Sequence, residues 1–409
     1  MPQSSAVELL APAGDPERMR IAFAYGADAV YAGQAAFSLR GRENGFSNAR
    51  IVADAVEEAH RLGRKFFLAA NVFPHNNKVE AFRRALTEIV EAGPDALIMA
   101  DPGMIGWMRK TFPDVAVHLS VQAHAVNWAT CGFWHDMGVR RVILARELLL
   151  REVQEIRERV PALELEVFVH GAVCMAQSGR CMISDWMEHR DANQGNCNNA
   201  CRFPYELTAS SPKLPEGEAI RVTEDEHGTY LFNARDLCAL PVLDQVVATG
   251  VHSLKIEGRT RSPYYVAQVV RAYRLALDAI AKGEPVPSAA LSAIAATDTR
   301  GWTSGFRVAG DPLGQILNAD REHPPGAVVV GQIRDWNDGR ATLSVRNRIE
   351  TGMRLELLSP EGIQEISASG LENHRGERVD ALHCGMEGCR IDLATPPRPW
   401  SFLVRAAGG

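Results

Sequence analysis

Through the first 283 residues, short apolar runs rich in β-branched residues alternate with longer stretches of helical periodicity. That alternation marks repeated βα units. Strands are predicted at Glu8–Ala13, Ala29–Gly33, Lys65–Val72, Ala96–Ala100, Ala116–Val121, Arg141–Ala145, Glu164–His170 and His252–Gly258. A plausible helix follows each, and Gly26, Gly63, Gly93, Gly138 and Gly250 stand where a helix must stop. Eight such units in this length predict an α/β fold, a closed (β/α)₈ TIM-like barrel over 1–283, rather than an open doubly wound sheet.

The seventh crossover breaks the rhythm. Between His170 and the next good helical pattern, Ala239–Thr249, lies an insertion, 171–238, far longer than an ordinary connection. Polar and apolar residues alternate from Tyr205 to Asn233 around Glu224–Gly228, which predicts a small β-hairpin. After a helix predicted at Tyr264–Lys282, the breaker GEPVPS ends the barrel, and 284–326 reads as an irregular linker. From 327 to 409 the runs AVVVGQI, ATLSVRN, MRLELLS and SFLVRA, separated by turn residues, predict a small antiparallel β-barrel.

Composition narrows the class without naming a function. Of the 409 residues, 46% are hydrophobic and 23% charged, as in a globular protein with a sizeable core. Lys and Arg number 44 against 50 acidic residues, a net charge of −6, so any nucleic-acid site must be local rather than a global basic field. No export signal is legible at the N-terminus, and no run approaches the roughly 18 apolar residues needed to span a bilayer. A cytoplasmic protein with no membrane contact is expected.

In that reducing setting the eight cysteines are poor disulfide candidates. Cys174, Cys181, Cys197 and Cys201 follow C-x6-C-x15-C-x3-C within the insertion, with Cys238 at its end. Clustered thiolates among turn residues such as Gly179, Asn193 and Gly195 point to a soft-metal site, without the paired knuckles of zinc modules. Four ligands suffice for a 4Fe–4S cluster, so Cys201 and Cys238 compete for the fourth place. Cys131 falls in a helical pattern and reads as packing, while the Cys384 and Cys389 pair carries no reading.

A second group lies where the barrel strands end, the face on which barrel enzymes place their chemistry. Asn71, Asp101, Gln122, His124, Arg146, Glu147, His170, Lys255, Glu257 and Arg259 are all there. Catalytic roles are assigned to Glu257, Lys255 and His170, and substrate binding to Asn71, Gln122, Arg146, Arg190, Arg202 and Arg259. Lys255, Glu257 and Arg259 alternate along one strand end and would share a face able to hold an anion. Arg40, Arg42, Arg190 and Arg202 fall in loops beside the same mouth, suited to phosphate contact. No H-E-x-x-H, Walker lysine loop or G-x-S-x-G elbow is present.

The runs ELLAPAGDPERMRIAFAYGADAVYAGQAAFSLR, GPDALIMADPG, HLSVQAHAVNWAT and FVHGAVCMAQSGRC resemble peptidase family U32, the collagenase-like proteins. The resemblance continues through RDANQGNCNNACRFPYEL, EDEHGTYLFNARDL and VHSLKIEGRTRSPYYVAQVVRAYR, and more weakly through RNRIETGMRLELLSP. Within the family it is strongest to members that hydroxylate a tRNA wobble uridine. This implies a 4Fe–4S cluster on the insertion cysteines, prephenate as co-substrate, oxygen-independent formation of 5-hydroxyuridine, and the tRNA anticodon loop as partner. An anticodon base already lies in a loop, which lowers the cost of presenting it. The alternatives are a U32-type peptidase, for which no nucleophile and base can be assigned, and a noncatalytic iron–sulfur RNA-binding protein.

Overall fold

The computed structural model describes residues 7–34, 45–173, 197, 208–209, 220–221, 235–299, 301–305 and 327–405. The strands of its first sheet are β1 (Glu8–Pro12), β2 (Ala29–Gly33), β3 (Lys65–Ala70), β4 (Ala96–Met99), β5 (Ala116–Leu119), β6 (Arg141–Ile143) and β7 (Glu164–Gly171). Further along the chain come β8 (Thr208–Ala209), β9 (Ile220–Arg221), β10 (Asp236–Cys238), β11 (Ser253–Ile256) and β12 (Trp302–Thr303). The sheet order is β11-β1-β2-β3-β4-β5-β6-β7-β10-β12, and a further pairing of β11 with β7 closes the eight-stranded parallel barrel. The predicted strands all form, most of them a residue or two shorter at an end.

Helices α1 (Pro16–Ala24), α2 (Ala49–Arg61), α3 (Val79–Glu91), α4 (Pro102–Thr111), α5 (Trp128–Asp136) and α6 (Leu150–Arg159) alternate with the strands. Their starts are written in the sequence: Asp15, Asn48, Asp101 and Asn127 each accept a backbone N–H of the first turn. Later come α7 (Leu243–Ala248), α8 (Pro263–Ala281) and α9 (Ser288–Ala295). The amphipathic pattern of α2, with Val52, Ala55, Val56 and Ala59 buried, is typical of the outer ring.

The turn expected at Glu224–Gly228 lies outside the described residues; before it, Thr208 pairs with Arg221 and Ala209 with Ile220. One expectation is corrected. The stretch expected to be an irregular linker, 284–326, contains α9, whose Ala290, Ala293 and Ile294 are buried at helical spacing, and β12, which pairs in parallel with β10.

The strands that follow are β13 (Val329–Asn337), β14 (Arg340–Val345), β15 (Ile349–Glu350), β16 (Arg354–Ser359), β17 (Gly362–Ser367), β18 (Ala381–Leu382), β19 (Glu387–Asp392) and β20 (Phe402–Arg405). Six of them form an antiparallel sheet in the order β17-β16-β20-β13-β14-β19, while β15 pairs with β18. Val330, Leu343, Leu355, Cys389, Ile391 and Leu403 are part of the core of this sheet.

By contact density the chain forms two compact units. One comprises Met1–Val7, Tyr31–Glu257 and Arg300–Glu322; the other comprises Glu8–Val30, Gly258–Thr299 and His323–Gly409. Within the second, the Tyr25 hydroxyl donates to the Trp400 carbonyl at 3.1 Å, and the Gln332 amide donates to Glu17 at 2.7 Å. Among the described residues no helix is long and apolar enough to cross a membrane.

Candidate functional site at the barrel mouth

Strand β7, ELEVFVHG, sets the geometry. Its Leu165, Val167 and Val169 form one buried apolar face, so Glu166, Phe168 and His170 occupy the other. That second face looks into the barrel, because the residues that meet it from the adjacent β6 and β11 also reach strands that are not their own neighbours. Arg141 of β6 touches Glu166 and also lies over the ring of Phe67 on β3 at 5.4 Å. Lys255 of β11 meets Tyr31 of β2 in the same manner, its Nζ 4.0 Å from the ring centroid. Layers built from alternate strands are the expected filling of a small barrel.

Here the filling carries charge. Lys255 Nζ donates to Glu166 Oε1 at 2.9 Å, and Arg141 Nη1 donates to Glu166 Oε2 at 3.2 Å. Arg141 also reaches Glu164 Oε2, at 2.8 Å from Nη2. The result is an alternating row, Glu164, Arg141, Glu166, Lys255, running from the start of β7 to the end of β11. Glu166 is 0% exposed and Lys255 3%, so each charge depends on its neighbours rather than on water. Burial works to raise the Glu164 carboxyl, but Arg141 and Arg140 outweigh it and hold the group below its ordinary value. His118, edge-on to Phe67 at 4.8 Å, is kept neutral: burial first, then the Arg141 cation, push its pKa well below the imidazole range.

Above this row lie the strand-end residues. The Tyr31 hydroxyl donates to the Ile256 carbonyl at 3.0 Å and to Glu257 Oε2 at 3.3 Å, so one tyrosine carries Lys255 on its face and Glu257 at its tip. The Arg146 guanidinium stacks over Phe168 at 4.0 Å, and Lys255 approaches the same ring at 5.7 Å. Asn71 donates to Ser120 Oγ at 3.3 Å, and Ser120 in turn faces Gln122 Oε1 at 3.5 Å. The other side-chain atom of this amide, Asn71 Oδ1, is buried without a hydrogen-bond partner among the described residues. His124 follows in the left-handed region at φ 54°, its Nδ1 likewise buried without one. Buried His170 lies against Trp302 with ring centroids 5.1 Å apart.

Of the residues predicted from sequence, Lys255, Glu257, His170, Asn71, Gln122 and Arg146 therefore belong to one compact unit and to the strand ends of one barrel. The shared face expected of Lys255, Glu257 and Arg259 stops short. Pairing shifts register between Lys255 and Ile256, β11 ends there, and Arg259 is buried in the second unit. Asp101 acts as a helix cap, its carboxylate accepting the Met104 N–H at 2.9 Å. Glu147 is half-buried in the turn after β6. Sequence reasoning missed Glu166, Arg141, His118, Tyr31 and Trp302. A signal was present: a charged residue inside a strand whose both faces are covered needs a partner of opposite sign within the barrel.

Arg40, Arg42, Arg190, Arg202, Cys174, Cys181 and Cys201 lie outside the described residues. Among the described ones no group of three or more His, Cys, Asp or Glu is placed to hold a metal. Of the described cysteines expected to ligate, Cys197 is exposed and Cys238 buried. Cys238 stands directly across the antiparallel β10–β7 pair from His170, so both side chains share a face at the mouth. A set of four thiolates fits an iron–sulfur cluster in donor chemistry, and Cys238 is placed where the insertion rejoins the barrel. Cys131 packs inside α5, where burial pushes its thiol up to about 12, and Cys389 belongs to the second core.

A closed parallel barrel with a charged lumen and polar strand ends defines the architectural class of this molecule. Residues 14–313 match peptidase family U32 and residues 326–405 match the peptidase family U32 C-terminal domain; the chain belongs to that family. It is 43% identical to "tRNA hydroxylation protein P" of Escherichia coli (strain K12), covering 91% of this chain and 90% of that one. Identity to the protein of the same name from Haemophilus influenzae is 41%, again over 91% and 90%. The "23S rRNA 5-hydroxycytidine C2501 synthase" of Escherichia coli (strain K12) is 35% identical over 68% of this chain and 40% of its own length.

Proposed function

We propose that the chain is a tRNA-modifying enzyme that hydroxylates the wobble uridine to 5-hydroxyuridine, with prephenate as co-substrate and without molecular oxygen. The observation that carries this reading is the similarity, over nine-tenths of both chains, to two relatives named for tRNA hydroxylation. The barrel mouth supports it chemically. Arg146 and Lys255 flank Phe168, a pairing of two cations with an aromatic face that suits a small anionic, partly apolar molecule such as prephenate.

Cys174, Cys181 and Cys197, with Cys201 or Cys238, would hold a 4Fe–4S cluster. Such a group supplies one-electron transfer or an iron able to bind an oxygen donor. Lys255 and Arg146 would bind the anionic co-substrate, while Glu257, fixed by Tyr31, would orient it or hold a proton beside His170. Asn71 and Gln122 would contact the base, and Arg190, Arg202 and Arg259 the RNA backbone. The anticodon loop is the proposed partner.

The test is mass analysis of tRNA nucleosides from a strain lacking the chain, grown without oxygen and with prephenate supplied or withheld. Restoration of 5-hydroxyuridine by the parent gene, and only with prephenate, is the expected result. Unchanged wobble nucleosides after deletion would refute the reading. A loss confined to ribosomal RNA would move the substrate to that of the third relative.

A further inference from the structure

The lumen row behind the mouth has a consequence for Lys255, resting on the reading just given. A lysine at the end of β11 has four rotatable bonds, and nothing in its own strand decides where the ammonium stops. Glu166 decides it: Oε1 takes Lys255 Nζ at 2.9 Å while Oε2 is held by Arg141 at 3.2 Å. Arg141 is itself tied to Glu164, so Glu166 has little freedom to swing. Tyr31 lies under the same ammonium at 4.0 Å and shares its hydroxyl with Glu257. Glu166 divides its charge between two cations. The row balances, Glu164 and Glu166 against Arg141 and Lys255, so what it gives the mouth is an ammonium held in one place rather than a surplus of charge.

We infer that Glu166, backed by Arg141, is the positioning residue that fixes the Lys255 ammonium, and through it the place where an anionic group of the co-substrate rests. Glu166 acts only through Lys255. A displacement of about 1 Å in such a contact costs on the order of a hundredfold in rate.

The experiment is a double-mutant cycle of parent, Lys255→Met, Glu166→Gln and the double variant, each expressed in a strain lacking the chain. Wobble 5-hydroxyuridine is measured in cells, and thermal unfolding on the purified proteins. Each single change should lower hydroxylation about a hundredfold. The double should be no lower than either single, and it should regain the part of the thermal stability that Glu166→Gln loses at the stranded lysine, while the part lost at Arg141 stays lost. Parent-level hydroxylation in Glu166→Gln, or recovery of hydroxylation together with stability in the double, would overturn the positioning role.

A second readout does not depend on turnover: the rate at which sulfosuccinimidyl acetate acetylates Lys255, followed by peptide mass spectrometry. Removal of the Glu166 charge should raise that rate about tenfold by favouring the neutral amine. If the parent chain restores no wobble nucleoside, the functional reading fails. The acetylation rate then decides the positioning alone, and an unchanged rate overturns it.

Discussion

Gly171 ends β7 at the point where the barrel meets the cysteine-bearing insertion, and its replacement by alanine has a cost that can be worked out in two parts. The backbone there has φ 104°, a conformation that L side chains rarely adopt, and a Cβ would meet the Glu257 carbonyl oxygen at 2.5 Å. The first part is about 1–2 kcal/mol for the positive φ. The second is overpacking against backbone rather than a flexible side chain, about 1–3 kcal/mol. Together these predict a loss of about 2–5 kcal/mol. Gly63 provides the control, since its φ is 66° and a Cβ would meet nothing within 4 Å. Gly63→Ala should therefore show the conformational part alone. Urea unfolding of parent and both variants, followed by tryptophan fluorescence and by far-UV circular dichroism, gives the two differences. Because the clash is with Glu257, hydroxylation by Gly171→Ala should fall more than that of Gly63→Ala at matched folded fraction. Equal destabilisation by the two changes would refute the steric argument.

Glu164 has its carboxyl held below the ordinary 4.5, so its contribution to stability is complete above that value and is lost as pH falls through the depressed one. Thermal melting across the acid range should show that loss in the parent and less of it in Glu164→Gln. His118 has a folded-state pKa well below 6.5, so the folded chain resists protonation and stability declines as pH drops beneath 6.5. His118→Phe should flatten that limb of the melting profile, and an unaltered limb would assign it elsewhere. Anaerobically purified protein should contain about four irons and four sulfides, lost in Cys174→Ala, Cys181→Ala and Cys197→Ala. Iron content of Cys201→Ala against Cys238→Ala identifies the fourth ligand, and zinc without acid-labile sulfide would refute the cluster.

The barrel was legible because its strands are buried on both faces and so appear as apolar runs such as AVYAG and ALIM, punctuated by helix-stopping glycines. Short pairings were not. Asp236–Cys238 and Trp302–Thr303 have too few residues to display a period, and they pair only because the long β7 leaves rungs free for β10. At the mouth, position along the strand was enough to select Lys255, Glu257 and His170, since chemistry gathers at strand ends. What each touches depends on residues far away in sequence. Tyr31 and Ile256 are bonded across 225 positions, and the bulge at Lys255 that ends the expected alternation is set by pairing with β7. The Glu166 row stayed hidden because a glutamate in ELEVFVHG reads as a solvent-facing position until the barrel closes around it.

The pairing of β10 with β7 joins Leu237 to Gly171 and Cys238 to His170, so the chain leaves the barrel and returns to it on adjacent rungs. Partners across an antiparallel pair stand about 5 Å apart, a gap that a turn of two to five residues can close. The segment between them is thus a cassette plugged into a socket: the scaffold does not depend on its length for closure, and a longer insert costs little more in loop entropy. Such a socket lets a lineage exchange the inserted module while the charged lumen of the barrel is inherited unchanged. For the protein engineer, the same two rungs mark the splice points at which one module could be transplanted onto another barrel of this kind.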